Sequence, residues 1–305
     1  MVELTSPVIY LVDASFFVFR AYYSIPDDMA DVDGNPVNAV YGFSRFLSDL
    51  IEKEQPIHLA IAFDESLASS FRNRIYPAYK ANRDPAPPAL KEQFLRCREL
   101  CGHLGVATFA SAEYEADDII GTLSTRMRAA GFSSTVVTRD KDLSQLIRIG
   151  DEFWDYMADE RFGYADIAAR FGVYPERMAD FLALTGDAVD NIPGVPGIGK
   201  KTAAALFQKF DSLDHLYANL EHILTLGLRG AAGVMQRLKE HRHTAYLARE
   251  LTRIACDMPI NPRPDELRRR EPDLPALDRF YDKAGFGLML RRQAERIHHA
   301  INIGK

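Results

Sequence analysis

The sequence predicts an α/β protein with a doubly wound, mostly parallel sheet and a separate helical subdomain. Three apolar runs have the length and the two-faced apolar character of buried parallel strands. They cover residues 8–12, 58–63 and 135–138. Helical periods alternate with them along the chain, over residues 40–52, 90–104 and 115–130. Strands that alternate with helices indicate a doubly wound sheet, and no strand run follows residue 177.

The change of pattern near residue 177 predicts three regions. We expect a core over residues 1–185, a helical subdomain over 186–262, and a connector with a final helix that packs on the core over 263–305. The segment between the second strand and the following helix is too long for an ordinary crossover turn. Long insertions of this kind are usually functional or mobile.

Composition narrows the class of protein. The chain has 305 residues, of which 47% are hydrophobic and 26% charged, and no apolar run approaches the roughly 18 residues that span a bilayer. Its three cysteines have no zinc-like spacing, which fits a reducing, cytoplasmic location, and the N-terminus lacks the pattern of a signal peptide. The net charge of −6 argues only weakly against a nucleic-acid partner, because local patches decide partner choice.

Nine carboxylates fall into five tight clusters and are the candidate metal ligands. They are Asp13; Asp64; Glu115, Asp117 and Asp118; Asp140 and Asp142; and Asp187 and Asp190. Asp13 and Asp64 directly follow predicted strands, and Asp140 comes two residues after a third. Ligands of doubly wound sheets bind beyond the carboxyl ends of the strands. Two carboxylates about 4 Å apart repel by about 4 kcal/mol at an effective dielectric of about 20, so a shared site requires hard divalent cations. Mg²⁺ or Mn²⁺ suits such ligands, as in metal-dependent phosphoryl transfer.

Each carboxylate also has a simpler interpretation. A single Asp at a strand end is more often a turn or cap residue, and acidic residues that open a helix offset its dipole by about 0.3–1 kcal/mol. Glu115 and Asp117 cannot share one face of a regular helix, so metal binding by both requires Glu115 at the non-helical cap. The joint pattern of nine residues favours the metal site.

A glycine turn follows the last acidic pair. The segment Gly197-Ile-Gly-Lys-Lys-Thr-Ala fits a helix-hairpin-helix turn, which grips duplex backbone without reading sequence. Gly197 and Gly199 let the backbone approach a phosphate, and the helix that opens at Lys200 offers free N–H groups, with charge from Lys200 and Lys201. Thr202 completes this candidate DNA-binding set. The alternative is a glycine turn between two core helices.

The segment 71–83 interleaves four cations with three aromatic residues. This pattern is typical of single-strand binding, with cations along the phosphates and rings against the bases. A solvated basic loop explains the same pattern equally well by itself. Its position directly after Asp64 favours a functional role.

These segments together resemble the 5′ nucleases of the flap-endonuclease superfamily, and most of all the 5′→3′ exonuclease domain of bacterial DNA polymerase I and its stand-alone relatives. The resemblance rests on residues 11–15, 62–64, 71–72 with 79–83, 114–118, 138–143 and 186–203, which occur in family order. It implies a PIN-like core, a helical arch over about residues 65–95 and a three-helix DNA-binding subdomain.

The resemblance also implies how the ligands are shared. One metal is expected near Asp13, Asp64, Glu115 and Asp117, and a second near Asp140, Asp142, Asp187 and Asp190, with Asp118 close by. A K⁺ ion is expected on backbone carbonyls of the turn at Ile192, Val195 and Ile198.

The resulting hypothesis is a two-metal hydrolysis of DNA phosphodiesters at the junction between a single-stranded 5′ end and a duplex. Lys80, Arg83 and Arg72 would hold the transferring phosphate, and Tyr79 would stack on a base. The expected partners are DNA with a 5′ flap, a nick or a junction, and RNA–DNA hybrid primers, with no membrane, for a monomer in the bacterial nucleoid that serves replication and repair. The rival functions are a non-catalytic DNA-binding module and a PIN-type ribonuclease.

Overall fold

The computed structural model describes residues 6–65 and 70–303, with side chains as far as Ile301. These residues form two compact units. The first contains the described residues up to 65, then 85–139, then 256 onwards; the second contains 70–84 and 140–255. The division at residue 139 differs from the boundary near Gly186 that the sequence suggested.

The strands are short and lie between residues 8 and 162. They are β1 (Val8–Asp13), β2 (His58–Asp64), β3 (Ala107–Ser111), β4 (Ser133–Val137), β5 (Glu152–Asp155) and β6 (Glu160–Phe162). Among residues 163–303 the structure contains no further strand.

The α-helices account for most of the remaining chain. They are α1 (Ala14–Ser24), α2 (Asn38–Glu54), α3 (Phe71–Ile75), α4 (Pro88–His103), α5 (Ala116–Ala129), α6 (Tyr164–Phe171), α7 (Met178–Thr185), α8 (Lys200–Phe207), α9 (Leu213–Ala218), α10 (Ala231–Glu240), α11 (Arg242–Thr252), α12 (Leu274–Ala284) and α13 (Leu288–Ile303). Four 3₁₀ helices join them, at Lys141–Leu146, Pro175–Arg177, Leu220–Thr225 and Pro264–Leu267. No helix in the described part of the chain combines the length and apolarity that crossing a membrane demands.

The first unit is built on four parallel strands in the order β3-β2-β1-β4. Strands β1 and β2 are apolar on both faces, and their side chains from Ile9 to Val12 and from Leu59 to Phe63 are almost all buried. Such two-sided burial is what a parallel sheet covered by helices requires. Helix α5 packs along all four strands, and α1 and α4 also contact the sheet. The α/β class and the mostly parallel sheet predicted from the sequence are confirmed.

The C-terminal helices belong to this first unit. Helix α13 packs against α2, where Gln293 donates to Asp49 (2.7 Å) and Arg296 pairs with Glu52. The connector before them is paired along its backbone, since Arg269 N donates to Ile57 O (2.9 Å). The connector is therefore anchored to the core and is not a free linker.

The second unit is mainly helical. Helix α7 packs against α11, α8 and the 3₁₀ helix Lys141–Leu146. Gln145 lies in that 3₁₀ helix, and its side chain donates to Thr252 O (3.0 Å) and accepts from Ile254 N (3.1 Å). These contacts explain why the chain from residue 140 groups with the helical unit, well before the predicted boundary. The antiparallel pair β5–β6 also lies here, with Trp154 fully buried.

Candidate metal centre and nucleic-acid interface

Asp13 and Asp64 end neighbouring parallel strands of the first unit, so both lie at the carboxyl edge of the sheet. Asp13 is only 6% exposed. Its Oδ1 accepts from Phe16 N (3.4 Å) at the start of α1, and its Oδ2 accepts from Thr138 Oγ1 (3.1 Å). These contacts hold the carboxylate in one orientation at the sheet edge.

The N-terminus of α5 brings further carboxylates to the same unit. Glu115 is the N-cap, with extended backbone at φ −85° and ψ 168°, which is the non-helical position that metal binding by both Glu115 and Asp117 requires. The fully buried Asp118 accepts from Glu115 N (3.1 Å), and Asp64 Oδ1 accepts from Ala116 N (2.8 Å). The helix dipole therefore favours a concentration of negative charge at this end of α5.

The second unit holds the other acidic cluster. Asp140 is exposed and caps the 3₁₀ helix, where it accepts from Asp142 N (2.9 Å). Asp142 Oδ1 is buried without a hydrogen-bond donor, although Lys141 Nζ lies 3.3 Å away. Burial, together with the charge of Asp140, raises the pKa of Asp142 to about 7. A buried carboxylate oxygen with no donor is the kind of atom that a cation would satisfy.

Lys141 neutralises part of this cluster. It forms an ion pair with the buried carboxylate of Asp187. Burial alone would lower the pKa of Lys141, but Asp142, Asp187 and Asp140 together raise it above its ordinary value. Burial would raise the pKa of Asp187, but the hydrogen bond from Lys141 lowers it below its ordinary value. The lysine therefore acts as a counter-ion inside the predicted ligand set.

The loop that carries Asp187 and Asp190 depends on two glycines in close contact. A Cβ on Gly186 would lie 2.5 Å from Gly194 N, and a Cβ on Gly194 would lie 2.5 Å from the carbonyl carbon of Thr185. Asp187 and Ile192 exchange both backbone hydrogen bonds across the loop (3.0 and 2.7 Å). The positions of both aspartates therefore depend on a turn that larger residues cannot form.

The basic segment 76–83 lies against this loop. Lys80 Nζ is 3.7 Å from Asp190 Oδ2, Arg83 pairs with the other carboxylate oxygen, and Tyr79 donates to Oδ2 from 3.3 Å. Backbone contacts secure the arrangement, because Lys80 N donates to Asp190 O (2.9 Å) and Asn191 donates to Ala78 O (2.7 Å). The two predicted phosphate-binding cations thus lie beside a predicted metal ligand.

The glycine turn leads into α8. Gly197 has a positive φ of +75°, and Gly199 is the N-cap of α8 without a side chain to bond the first N–H groups. Lys200 and Lys201 are exposed, and neither is paired with a carboxylate within the described part of the chain. Free N–H groups and unpaired lysines at a helix start suit an anionic ligand.

The predicted K⁺ site uses backbone carbonyls of the same turn. Ile192 O and Val195 O each accept a backbone hydrogen bond (3.0 Å), from Asp187 N and Ile198 N. A carbonyl oxygen has two lone pairs, so these bonds leave capacity for a cation. The K⁺ site stays a prediction.

The donor chemistry of both acidic sets fits Mg²⁺ or Mn²⁺, since every candidate ligand is a carboxylate oxygen. Among residues 6–65 and 70–303, however, no three His, Cys, Asp or Glu side chains are gathered closely enough to hold a metal ion. The acidic side chains are instead hydrogen-bonded to helix starts or paired with cations. Divalent binding would therefore require local movement of these side chains.

Two family models match successive parts of the chain. The model described as the 5′-3′ exonuclease N-terminal resolvase-like domain matches residues 8–172, which is more than half of the sequence. The model described as the 5′-3′ exonuclease C-terminal SAM fold matches residues 173–275. The chain belongs to the 5′-3′ exonuclease family.

Relatives within this family agree with the match. A 5′-3′ exonuclease of Buchnera aphidicola subsp. Schizaphis graminum is 34% identical over 259 residues, which is 85% of this chain and 90% of that protein. The DNA polymerase I of Rhizobium leguminosarum is 37% identical over 294 residues, 94% of this chain and 28% of the polymerase. The chain thus spans less than a third of the length of the polymerase relatives that it matches.

A solved structure has a fold similar to that of this chain. The chain is similar to the bacteriophage T5 D15 flap endonuclease in its pseudo-enzyme-product complex with DNA and metal ions, with a TM-score of 0.64, 18% identity, and coverage of 97% of this chain and 99% of that one. At this identity the similarity concerns the fold alone.

Two residues of the predicted arch, Arg72 and Tyr79, are positioned differently from what the sequence hypothesis expects. Arg72 is only 2% exposed, and its guanidinium donates to Leu251 O (2.8 Å) and Arg253 O (3.0 Å). Tyr79 is 3% exposed, so its ring offers no open face to a base in this structure. These positions indicate structural roles for both residues. Arg72 donates to backbone carbonyls and is not part of the phosphate-binding set proposed below. Residues 66–69 of the predicted arch lie outside the described residues.

Sequence reasoning did not single out Lys141 as a partner of the candidate ligands. It lies between the two candidate ligands Asp140 and Asp142, and that spacing was visible in the sequence. What the sequence did not show is that Lys141 reaches Asp187, 46 positions away along the chain.

Proposed function

We propose that this chain is a metal-dependent 5′→3′ exonuclease and structure-specific 5′-flap endonuclease that hydrolyses DNA phosphodiesters. The observation that carries the proposal is the continuity of the Gly186–Lys200 segment. The buried Asp187 and the partly buried Asp190 lie near one end of this segment, and the exposed Lys200 lies at the other, with Lys201 next to it. We infer that this short segment connects the proposed metal ligands to the proposed phosphate-binding turn.

Each unit supplies one set of candidate metal ligands. In the first unit Asp13, Asp64, Glu115 and Asp117 would hold one divalent cation. In the second unit the ligands would be Asp140, Asp142, Asp187 and Asp190. Bound Mg²⁺ or Mn²⁺ would lower the pKa of a water molecule and neutralise charge on the leaving oxygen.

The cations around the second set hold and orient the phosphate. Lys80 and Arg83 lie beside Asp190, so a phosphodiester that reaches this carboxylate meets two positive charges. Preorganised cations of this kind stabilise the charge that develops on a transferring phosphoryl group. The segment that carries Lys80 and Arg83 is hydrogen-bonded to the 187–191 loop through Lys80 N and the Asn82 side chain. These bonds hold both cations beside the acidic cluster.

The substrate class follows from what the chain offers to nucleic acid. The glycine turn at Gly197–Thr202 offers backbone N–H groups and charge, which bind phosphates irrespective of sequence. We propose that the substrates are duplexes with a 5′ flap, nick or junction, including RNA–DNA hybrid primers. We also propose that K⁺ binds at the turn, and that the protein acts as a monomer in bacterial DNA replication and repair. The T5 relative of the same fold has been solved with DNA and metal ions, which supports this proposal.

The decisive experiment is product mapping on a 5′-end-labelled double-flap DNA substrate, with blunt duplex, single strand and an RNA-flap version as controls. We expect cleavage at the junction in Mg²⁺ and none in EDTA. Binding without cleavage in Mg²⁺ or Mn²⁺ would identify a non-catalytic DNA-binding module. Cleavage confined to RNA would identify a ribonuclease and contradict the proposal.

A further inference from the structure

An arginine that the sequence hypothesis did not consider lies against the glycine turn. Arg237 is on helix α10, and its side chain covers Gly197. A Cβ on Gly197 would lie 3.1 Å from Arg237 Nε, 3.2 Å from Cδ and 3.4 Å from Cζ. The positive φ of Gly197 favours glycine at the turn. The Arg237 side chain therefore lies directly beside the turn.

A second glycine borders the same side chain. A Cβ on Gly233, one helical turn before Arg237, would lie 3.5 Å from Nη1 and 3.9 Å from Nη2. These separations are ordinary van der Waals distances. The guanidinium therefore lies close both to the turn at Gly197 and to the backbone of α10 at Gly233.

Among the residues that the structure describes, the Arg237 guanidinium has no counter-ion. Within the described part of the chain Arg237 makes no ion pair or side-chain hydrogen bond, and its Nε is buried without an acceptor. Lys239, two residues further along α10, instead pairs with Glu221 at 2.8 Å. An arginine keeps its charge at any physiological pH, and its planar donors match phosphate oxygens. Arg237 is thus an unpaired, positioned cation at a turn that already offers backbone N–H groups.

We propose that Arg237 is a further phosphate-binding residue of the duplex-anchoring turn, acting beside Lys200 and Lys201. This inference rests on the proposed function, since it concerns the same DNA-binding surface. A backbone phosphate would then be bound by groups from two elements, the N–H groups and lysines at the start of α8 and Arg237 on α10. Because the charge is positioned before binding, little side-chain freedom is lost when the phosphate arrives.

The salt dependence of binding measures this contact. Each neutralised phosphate of B-DNA contributes about 0.9 to the slope of log K against log salt concentration. Loss of one contact should therefore flatten the slope by about 0.9. If the two proteins bind equally at 1 M salt, the variant binds about eightfold more weakly at 0.1 M salt.

The experiment titrates a 5′-flap duplex with the full chain in Ca²⁺ over a series of KCl concentrations. We compare the wild type with Arg237→Gln, Arg237→Lys and the matched control Lys239→Ala, which removes the same charge from the same helix. We expect Arg237→Gln to flatten the slope, Arg237→Lys to keep it, and Lys239→Ala to leave it unchanged. Thermal unfolding of each variant shows whether the fold is retained, and the lysine variant tests the charge if the glutamine variant is unstable.

The possible results distinguish a failure of the proposed function from a failure of the proposed role of Arg237. A wild type that neither binds nor cleaves the duplex contradicts the proposed function itself. A wild type that cleaves at the junction, with Arg237→Gln on the wild-type slope, overturns the role of Arg237 alone. Equal flattening by Arg237→Gln and Lys239→Ala also overturns it, because general charge then explains the effect.

Discussion

Replacement of Asp142 by Asn should stabilise the metal-free protein, in contrast to most substitutions of buried residues. Burial and the neighbouring charge of Asp140 raise the pKa of Asp142 to about 7, so the folded state holds its proton more tightly than the unfolded chain does. Between about pH 4 and pH 7 the unfolded chain has lost this proton while the folded state keeps it. Stability therefore falls as pH rises through this window and levels off above pH 7. Asparagine keeps the shape and removes the charge.

The size of the effect follows from the two pKa values. The difference between an ordinary value of about 3.9 and about 7 corresponds to about 4 kcal/mol once the carboxyl is fully ionised, at about 1.36 kcal/mol per pKa unit. At pH 5.5 Asp142 is ionised in the unfolded chain only, which lowers the free energy of unfolding of the wild type by about 2 kcal/mol. Asp142→Asn should thus raise the free energy of unfolding by up to about 4 kcal/mol at pH 8 and by about half of that at pH 5.5.

The assay is urea or thermal unfolding in EDTA at both pH values. The matched control is Asp214→Asn, because hydrogen bonds from Arg249 and Tyr246 lower the pKa of Asp214 and make its charge stabilising. We expect the control to lose stability at neutral pH. If Asp142→Asn is no more stable than the wild type at pH 8, or gains equally at both pH values, the electrostatic account of the second acidic cluster is wrong.

Three further substitutions test other contacts. Lys80→Ala should slow cleavage by about 100-fold or more, while binding in Ca²⁺ weakens far less. A loss of affinity without a loss of cleavage rate would show that Lys80 only binds the substrate. Arg72→Met removes the hydrogen-bond donors of the buried Leu251 carbonyl and the partly buried Arg253 carbonyl, and should lower the free energy of unfolding by about 1–3 kcal/mol in urea titration. Unchanged stability would contradict the structural role of Arg72. Gly194→Ala places a Cβ where the Thr185 carbonyl lies, so Mg²⁺-dependent cleavage and the melting temperature should both fall, and a fully active variant would refute the close-packed loop.

The central strands were predictable because burial on both faces leaves a plain signal. Apart from His58, the runs before Asp13 and Asp64 contain only apolar or aromatic residues, which is typical of strands buried on both faces of a parallel sheet. Strand β3 (Ala107–Ser111) escaped prediction because it is half-buried and holds only one large apolar side chain, Phe109. The pair β5–β6 is short and interrupted by polar residues, so periodicity does not distinguish it from a loop.

The candidate site was predictable in kind but not in its pairings. The N-cap position of Glu115 followed from helical geometry, because Glu115 and Asp117 cannot both face one side of a helix. The role of Arg72 did not follow, since an arginine in a basic segment can bind a phosphate or a backbone carbonyl with the same donors. The ion pair between Lys141 and Asp187 depends on tertiary packing and has no local signal.

The central claim is that Asp187 serves a metal-dependent nuclease reaction and does not merely hold the fold. The most direct measurement compares wild type, Asp187→Asn and the exposed control Asp211→Asn on the 5′-flap substrate, with cleavage in Mg²⁺ and binding in Ca²⁺. We predict that Asp187→Asn abolishes cleavage and leaves binding nearly intact, while Asp211→Asn cleaves like the wild type. Undiminished cleavage by Asp187→Asn would contradict the account.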